Sequence, residues 1–162
     1  ATATVTADAI TGASNAALFS SVNSSGVLYA EIAAFANDLT NRFISLSDNT
    51  GNNNVYIGYS GISNTIRGRF ALGGVAQADF TFNTDITQYN SVAIRWAIND
   101  FSIWINGVKI NTDISGNTFN ANTLTGVYFR FEAGTLPFYG KTKQVAVYNY
   151  LSDTAMQNLT TP

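Results

Sequence analysis

The chain contains no cysteine and no histidine in its 162 residues. Without cysteine there is no disulfide framework and no thiolate chemistry. Without histidine the commonest general base and the commonest zinc ligand are missing. Charge is scarce too: Asp, Glu, Lys and Arg make up 11%, against roughly 25% in typical soluble proteins. The net charge of −2 and pI near 4.8 give no basic footprint for nucleic acid or an anionic membrane. No apolar run approaches the roughly 20 residues of a spanning helix, so no membrane insertion is expected. Asn, Thr, Ser and Gly supply the polar surface instead. The 46% hydrophobic and 13% aromatic content is enough to bury a core, and the length fits a single domain over residues 1–162. The chain opens at Ala1 with no signal-like segment, as expected of a processed chain or a domain cut from a longer one.

The most regular stretch is Tyr89–Ile110. Val92, Ile94, Trp96 and Ile98 share one strand face, and Phe101, Ile103 and Ile105 share the next. A turn at Asn99-Asp100 would set Ile98 opposite Phe101, Trp96 opposite Ile103 and Ile94 opposite Ile105, all on one core face. Arg95 would then lie opposite Trp104 on the other face. Asn106-Gly107 offers a second turn. Elsewhere, strands are predicted near Thr2–Thr6 and over Gly26–Phe35, Arg42–Ser47, Val55–Ser60, Ile66–Leu72, Ala76–Phe82, Val127–Glu132 and Val145–Tyr148. Residues between the first two are read as an irregular approach. Turn signals every ~8–12 residues indicate an all-β antiparallel sandwich or jelly roll. The tail differs: Ser152 is placed to cap a short C-terminal helix, with Asp153 in its first turn and Leu151 stapled to Met156. Met156 and Leu159 share one side of it.

Two blocks resemble the laminin-G-like, or concanavalin-A-like, jelly-roll family. The first carries Tyr89, Val92-Ala93-Ile94, Asn99-Asp100 and Trp104-Ile105-Asn106-Gly107. The second, Phe138–Leu159, carries Gly140, Val145, Val147-Tyr148-Asn149 and Leu151-Ser152-Asp153. Tyr89 stands where the family usually has Trp, and Lys143-Gln144 where it often has an acidic pair. The Leu28–Ile32 strand, the Arg42–Asp48 strand and the Lys141–Asn149 strand are also similar to domains of bacteriophage tail and virion proteins. The resemblance implies a non-catalytic, lectin-like module, extracellular or virion-associated. Its partner would be a glycan or cell-surface polysaccharide, and a virion or tail-fibre context would allow homo-oligomer or fibre assembly. The alternatives are an assembly domain of a virion or fibre with no glycan binding and, more distantly, a polysaccharide-degrading enzyme.

Arg95 beside Trp104 is the sharpest candidate ligand site. Tyr56, Arg67, Arg69, Tyr128, Arg130 and Glu132 fall out of phase with the apolar residues of their strands and join it. A flat aromatic ring offers apolar area to a sugar ring, while guanidinium and carboxylate groups bond its hydroxyls or acidic groups. The same pattern also describes the outer face of any sandwich. No cofactor is required by this reading. The family often holds structural calcium, and Asp38, Asp48, Asp100 and Asp113 in Asn-rich loops are candidate ligands, although no D-x-D-x-D-G run occurs. The only glutamates, Glu31 and Glu132, would have to meet across a sheet to act as a hydrolytic pair. Asn23-Ser24-Ser25 and Asn158-Leu159-Thr160 match the glycosylation acceptor pattern.

Overall fold

Alternation of apolar and polar side chains builds two antiparallel sheets, each buried on its even or odd face. The structure, a computed structural model, describes residues 16–162; the strand expected at Thr2–Thr6 lies outside the described residues. A helix α1 (Ala16–Val22) precedes β1 (Gly26–Ala33), β2 (Arg42–Ser47), β3 (Asn54–Tyr59), β4 (Thr65–Leu72) and β5 (Val75–Asn83). Then come β6 (Asn90–Ala97), β7 (Asp100–Ile105), β8 (Val108–Asp113), β9 (Gly126–Tyr128), β10 (Lys141–Tyr148) and the C-terminal helix α2 (Asp153–Thr160). One sheet has the order β10-β1-β6-β7-β8 and the other β5-β4-β3-β2-β9. The expected antiparallel sandwich with a short C-terminal helix is therefore the observed fold. No helix among the described residues is long and apolar enough to cross a membrane.

The two inner faces meet in one core. Leu28, Ile32, Ile94, Trp96, Phe101 and Ile103 from the first sheet face Ile44, Leu46, Ile57, Ile66 and Phe70 from the second, all fully buried. Phe70 stacks on Phe119 at 4.3 Å and meets Phe101 edge-on at 5.2 Å. Trp96 satisfies its buried indole by donating Nε1 to the Val22 carbonyl at 3.0 Å, as a core tryptophan must. It also fixes a glycine: a Cβ on Gly26 would lie 2.7 Å from the Trp96 ring.

The central hairpin keeps its predicted faces but not its predicted register. Trp96 pairs with Phe101, Ile94 with Ile103, and Arg95 with Ser102, not Trp104. The turn residues are Ile98 and Asn99, and Asn99 takes the left-handed conformation at φ 56°. Ile98 is thus 62% exposed on the turn instead of facing Phe101 in the core. A two-residue slip preserves every side chain's face, because the strand period is two. What it gains is the Trp96–Phe101 pair in the core and Asp100 at the strand end, within reach of Arg95 and Tyr150. The Asn106-Gly107 turn is as expected, with φ of 50° and 80°.

Two further expectations are corrected. The approach to β1 is helical at α1. The strand expected over Val127–Glu132 ends at Tyr128, because the chain then leaves the sheet and folds across its outer face. Asn23 of the first acceptor sequence is buried: it donates to the Phe19 carbonyl and accepts from the amides of Thr123 and Leu124. It ties α1 to the loop before β9.

Helix α2 lies on the outer face of the first sheet. Ser152 caps it, accepting from the Ala155 amide at 3.3 Å, and Met156 and Leu159 pack with Leu151 against Val27, Tyr29, Ala93 and Trp104. Thr160 Oγ1 accepts from the Gly107 amide at 3.2 Å, fastening the far end of the helix to the β7–β8 turn. At the near end, Arg95 donates to the Leu151 carbonyl at 3.1 Å and to Asp153 at 2.7 Å. Lys109 holds the other Asp153 oxygen.

Met156 is fully buried in this contact. Met156→Ala should lower unfolding free energy by about 2–5 kcal/mol and red-shift tryptophan emission as the helix loosens over Trp104. A cost under about 0.5 kcal/mol, the range of neutral surface changes, would show that the helix is not an integral layer. The Asp153 carboxyl is held below its usual 3.8 by hydrogen bonds from Lys109 and then Arg95. A lowered folded-state pKa stabilises above 3.8 and is lost as pH falls through the folded value. Asp153→Asn should therefore be less stable than wild type near pH 7, with the gap narrowing as pH falls below 3.8 in urea unfolding; a constant gap would rule this linkage out.

Candidate functional site

The strand pattern proposed eight ligand-facing residues, and the structure divides them between opposite sides of the sandwich. Trp104 and Arg95 are on the outer face of the first sheet, beneath α2. Trp104 is only 5% exposed, and its indole donates to Ser102 Oγ at 3.2 Å. Arg95 is 4% exposed; besides its bonds to α2 it reaches Asp100 at 3.1 Å and lies 4.9 Å from the Tyr150 ring. Tyr150 closes the cluster by donating to Asp100 at 2.7 Å. The expected exposed Arg–Trp platform does not exist. The helix that the sequence displays as Met156 and Leu159 covers it, and the guanidinium is consumed in docking that helix.

The other six gather on the outer face of the second sheet. Strand pairing lines up Tyr128, Ser45, Tyr56, Arg69 and Asp79 in one row across all five strands. The adjacent row is Phe43, Gly58, Arg67 and Thr81. Gly58 leaves no side chain between Phe43 and Arg67, and a Cβ there would lie 1.9 Å from the Arg42 carbonyl oxygen. Alternation on β3 and β4 puts these groups outward by sending Val55, Ile57, Ile66 and Phe70 inward.

The segment after β9 roofs one half of this face. Ser45 Oγ donates to the Arg130 carbonyl at 2.6 Å. Phe131 then packs edge-on to Tyr56 at 5.5 Å and 6.3 Å from Phe43, whose ring is 4.3 Å from Tyr56. Phe43 and Tyr56 are buried as a result. Arg130 lies 4.8 Å from the Tyr128 ring and donates to Asn49 at 2.8 Å. The Glu132 carboxylate presses on the backbone at Gly51, where a Cβ would be 2.4 Å from its Oε2. Arg130 and Glu132 thus brace the roof and the 48–53 loop.

The uncovered half carries the charge. Arg67 Nε donates to Asp79 Oδ1 at 2.8 Å, and its second nitrogen takes the other oxygen, a bidentate pair. Arg69 is left with a longer approach: its Nε is 3.8 Å from Asp79 and has no hydrogen-bond partner. One carboxylate is shared by two guanidiniums, so the pair keeps an unbalanced positive charge. Both arginine side chains remain a quarter to a third exposed. The Asp79 hydrogen bond raises the Arg67 pKa further, so it stays charged. Burial raises the Tyr56 phenol, opposed by both arginines, so it remains a neutral hydroxyl able to donate. The partly exposed Arg69 guanidinium offers an anion a cationic contact, with the Arg67–Asp79 pair beside it.

The four aspartates proposed for calcium sit in separate turns. Asp38 is engaged by Thr40 and Arg42, Asp48 by Thr50 and Asn53, Asp100 by Arg95 and Tyr150, and Asp113 by Ser115. Among the described residues no three acidic groups come together. Glu31, bonded to Lys143 at 2.6 Å, and Glu132 are on opposite outer faces and do not form a carboxylate pair.

No family model matches the chain, and no curated protein matches it in sequence. Similarity appears among solved structures. The CBM40 of a Ruminococcus gnavus IT-sialidase, bound to α2,3 sialyllactose, superposes at TM-score 0.67 with 16% identity, covering 85% of this chain and 83% of that one. The binding domain of botulinum neurotoxin DC in complex with SialylT superposes at 0.62 with 17% identity, over 86% of this chain and 35% of that one. A heptameric SAP-like pentraxin from Limulus polyphemus superposes at 0.61 with 13% identity, over 83% and 68%. At these identities the shared property is the fold: this chain has the concanavalin-A-like jelly-roll sandwich of those domains.

Proposed function

We propose that the protein is a non-catalytic carbohydrate-recognition module and that it reads an acidic glycan on the outer face of the second sheet. The observation that carries this reading is the Arg67–Asp79–Arg69 arrangement, in which Arg67 takes both oxygens of Asp79 and the neighbouring Arg69, still partly exposed, is left with only a 3.8 Å approach to the same carboxylate. A carboxylated sugar supplies the missing partner. Its carboxylate meets Arg69, Arg67 and Asp79 donate to and accept from ring substituents beside it, and Tyr128 with Arg130 borders the chain of the glycan, while buried Tyr56 backs the site from beneath. The similarly folded CBM40 of the Ruminococcus gnavus IT-sialidase is bound to α2,3 and α2,6 sialyllactose, which supports a sialylated ligand as the first to test. Binding by a rigid sheet with few contacts is weak per site, and several copies on one particle would raise it by avidity. The resemblance of the Leu28–Ile32, Arg42–Asp48 and Lys141–Asn149 strands to phage tail and virion domains makes such a particle, outside cells, the proposed setting.

Calorimetry with 3′-sialyllactose and lactose tests this. Wild type should bind the acidic sugar and bind lactose far more weakly, with affinity falling as salt rises. Arg69→Gln should lose about tenfold or more, the value of a charge-assisted hydrogen bond, with an unchanged melting temperature. Equal affinity for both sugars, or an Arg69→Gln variant that binds as wild type, would refute the assignment.

A further inference from the structure

A second site is built at the end of the sandwich, where β1 leaves the first sheet and β2 opens the second. Phe35 follows β1 and Tyr139 precedes β10. Both rings are turned out of the core, 56% and 61% exposed, yet they are not scattered: their centroids are 5.0 Å apart at 49°. They wall a cleft of about 100 Å³ completed by Ala36, Asp38 and Arg42. The Arg42 guanidinium lies 5.1 Å from the Tyr139 ring and pairs with Asp38. The Lys141 ammonium lies 6.0 Å from the Phe35 ring. Two exposed rings in contact beside a fixed ion pair form a contiguous apolar patch with a polar rim, the kind of feature that marks a binding surface.

The loop holding Asp38 is preset. Asn37 donates to Ser63 at 2.7 Å and accepts from the Asn64 amide at 3.0 Å. Asn41 accepts from the Gly61 amide at 2.8 Å. Leu39, between them, is held at φ 59°, a conformation that costs a branched residue energy and persists only where the surroundings impose it. Asp38 accepts from the Thr40 amide at 3.2 Å and from Arg42, so its carboxylate is oriented before anything binds.

We propose that this cleft is a second carbohydrate subsite, taking one pyranose unit through its C–H face and hydroxyls instead of a carboxylate. The chemistry differs from that of the sheet face. Here Arg42 and Asp38 neutralise one another, presenting a donor and an acceptor side by side, which matches a hydroxyl pair. The tilted rings supply apolar area for the sugar's C–H groups. The volume is well under the ~300–1,000 Å³ that encloses a drug-sized ligand, so the cleft meets one face of a single unit and does not enclose an oligosaccharide. The proposal rests on the carbohydrate-binding reading but uses none of the residues assigned to the acidic site.

Saturation-transfer NMR with methyl glucoside, methyl galactoside and methyl N-acetylglucosaminide tests it, alongside calorimetry with 3′-sialyllactose. At least one pyranoside should bind wild type, and both Tyr139→Ala and Asp38→Asn should weaken it about tenfold while sialyllactose affinity stays within about twofold. Tyr139 and Asp38 are exposed, so these variants should fold, as melting curves would show. If sialyllactose binds but no pyranoside does, or if pyranoside binding ignores Tyr139→Ala, the second subsite is wrong and the acidic site stands. If no sugar binds, both readings fall. Self-association of wild type that Tyr139→Ala removes, without pyranoside binding, would make the ring pair a contact between copies and would also overturn the proposal.

Discussion

Met156 resting on Trp104 decides which side of this molecule can meet anything else. A sheet face carrying Val27, Tyr29, Ala93 and Trp104 cannot be left to water at little cost, and α2 covers it. Arg95 makes the arrangement specific. It is buried, so its charge must be paired, and it is paired from both directions: Asp100 within its own hairpin, Asp153 and the Leu151 carbonyl from the helix. The part of the first sheet around Trp104 and Arg95 is thereby covered, and the Arg67–Arg69 pair stays partly exposed on the second sheet.

That second face is ordered by strand pairing, not by loops. Side chains on a cross-strand row have their positions fixed by the backbone ladder, and the row from Tyr128 to Asp79 crosses the whole sheet. The segment beyond β9 adds a roof through Phe131, which removes half of the face from solvent and stiffens Tyr56 between Phe43 and Phe131. What stays open is small, polar and cationic in a chain whose net charge is −2. A local surplus of guanidinium over carboxylate in an acidic molecule is a departure that packing alone does not require.

The faces of nearly every strand were legible because period-two alternation survives errors of register. The hairpin shows this: the pairing is displaced by two residues, yet Ile94, Trp96, Phe101 and Ile103 still enter the core. The turn itself was not legible, since hydrophobicity argues for burying Ile98. The competing gains, Trp96 against Phe101 and Asp100 against Arg95 and Tyr150, involve partners up to 50 residues away. The sequence shows an indole on the polar face but cannot show that another element covers it, although Met156 and Leu159 at helical spacing were the visible half of that contact. Phe129–Glu132 alternates like a strand and leaves the sheet because Ser45 captures the Arg130 carbonyl. Helix α1 went unread because its Ala- and Ser-rich stretch has little apolar period. Of the site, the arginines and tyrosines on β3 and β4 were readable as outward-facing; the sharing of Asp79 between two of them was not, because it depends on β5 pairing. The Phe35–Tyr139 cleft joins residues more than a hundred positions apart, and no local pattern marks it.

The central claim is that the second sheet, and not the helix-covered first sheet, carries the acidic-glycan site. A crystal structure of the protein soaked with 3′-sialyllactose tests it most directly. The account predicts the sugar carboxylate on Arg69, with Arg67–Asp79 in contact and α2 undisturbed over Trp104. Sugar bound against Trp104 with α2 displaced, or none at the second sheet while binding is measured in solution, would contradict it.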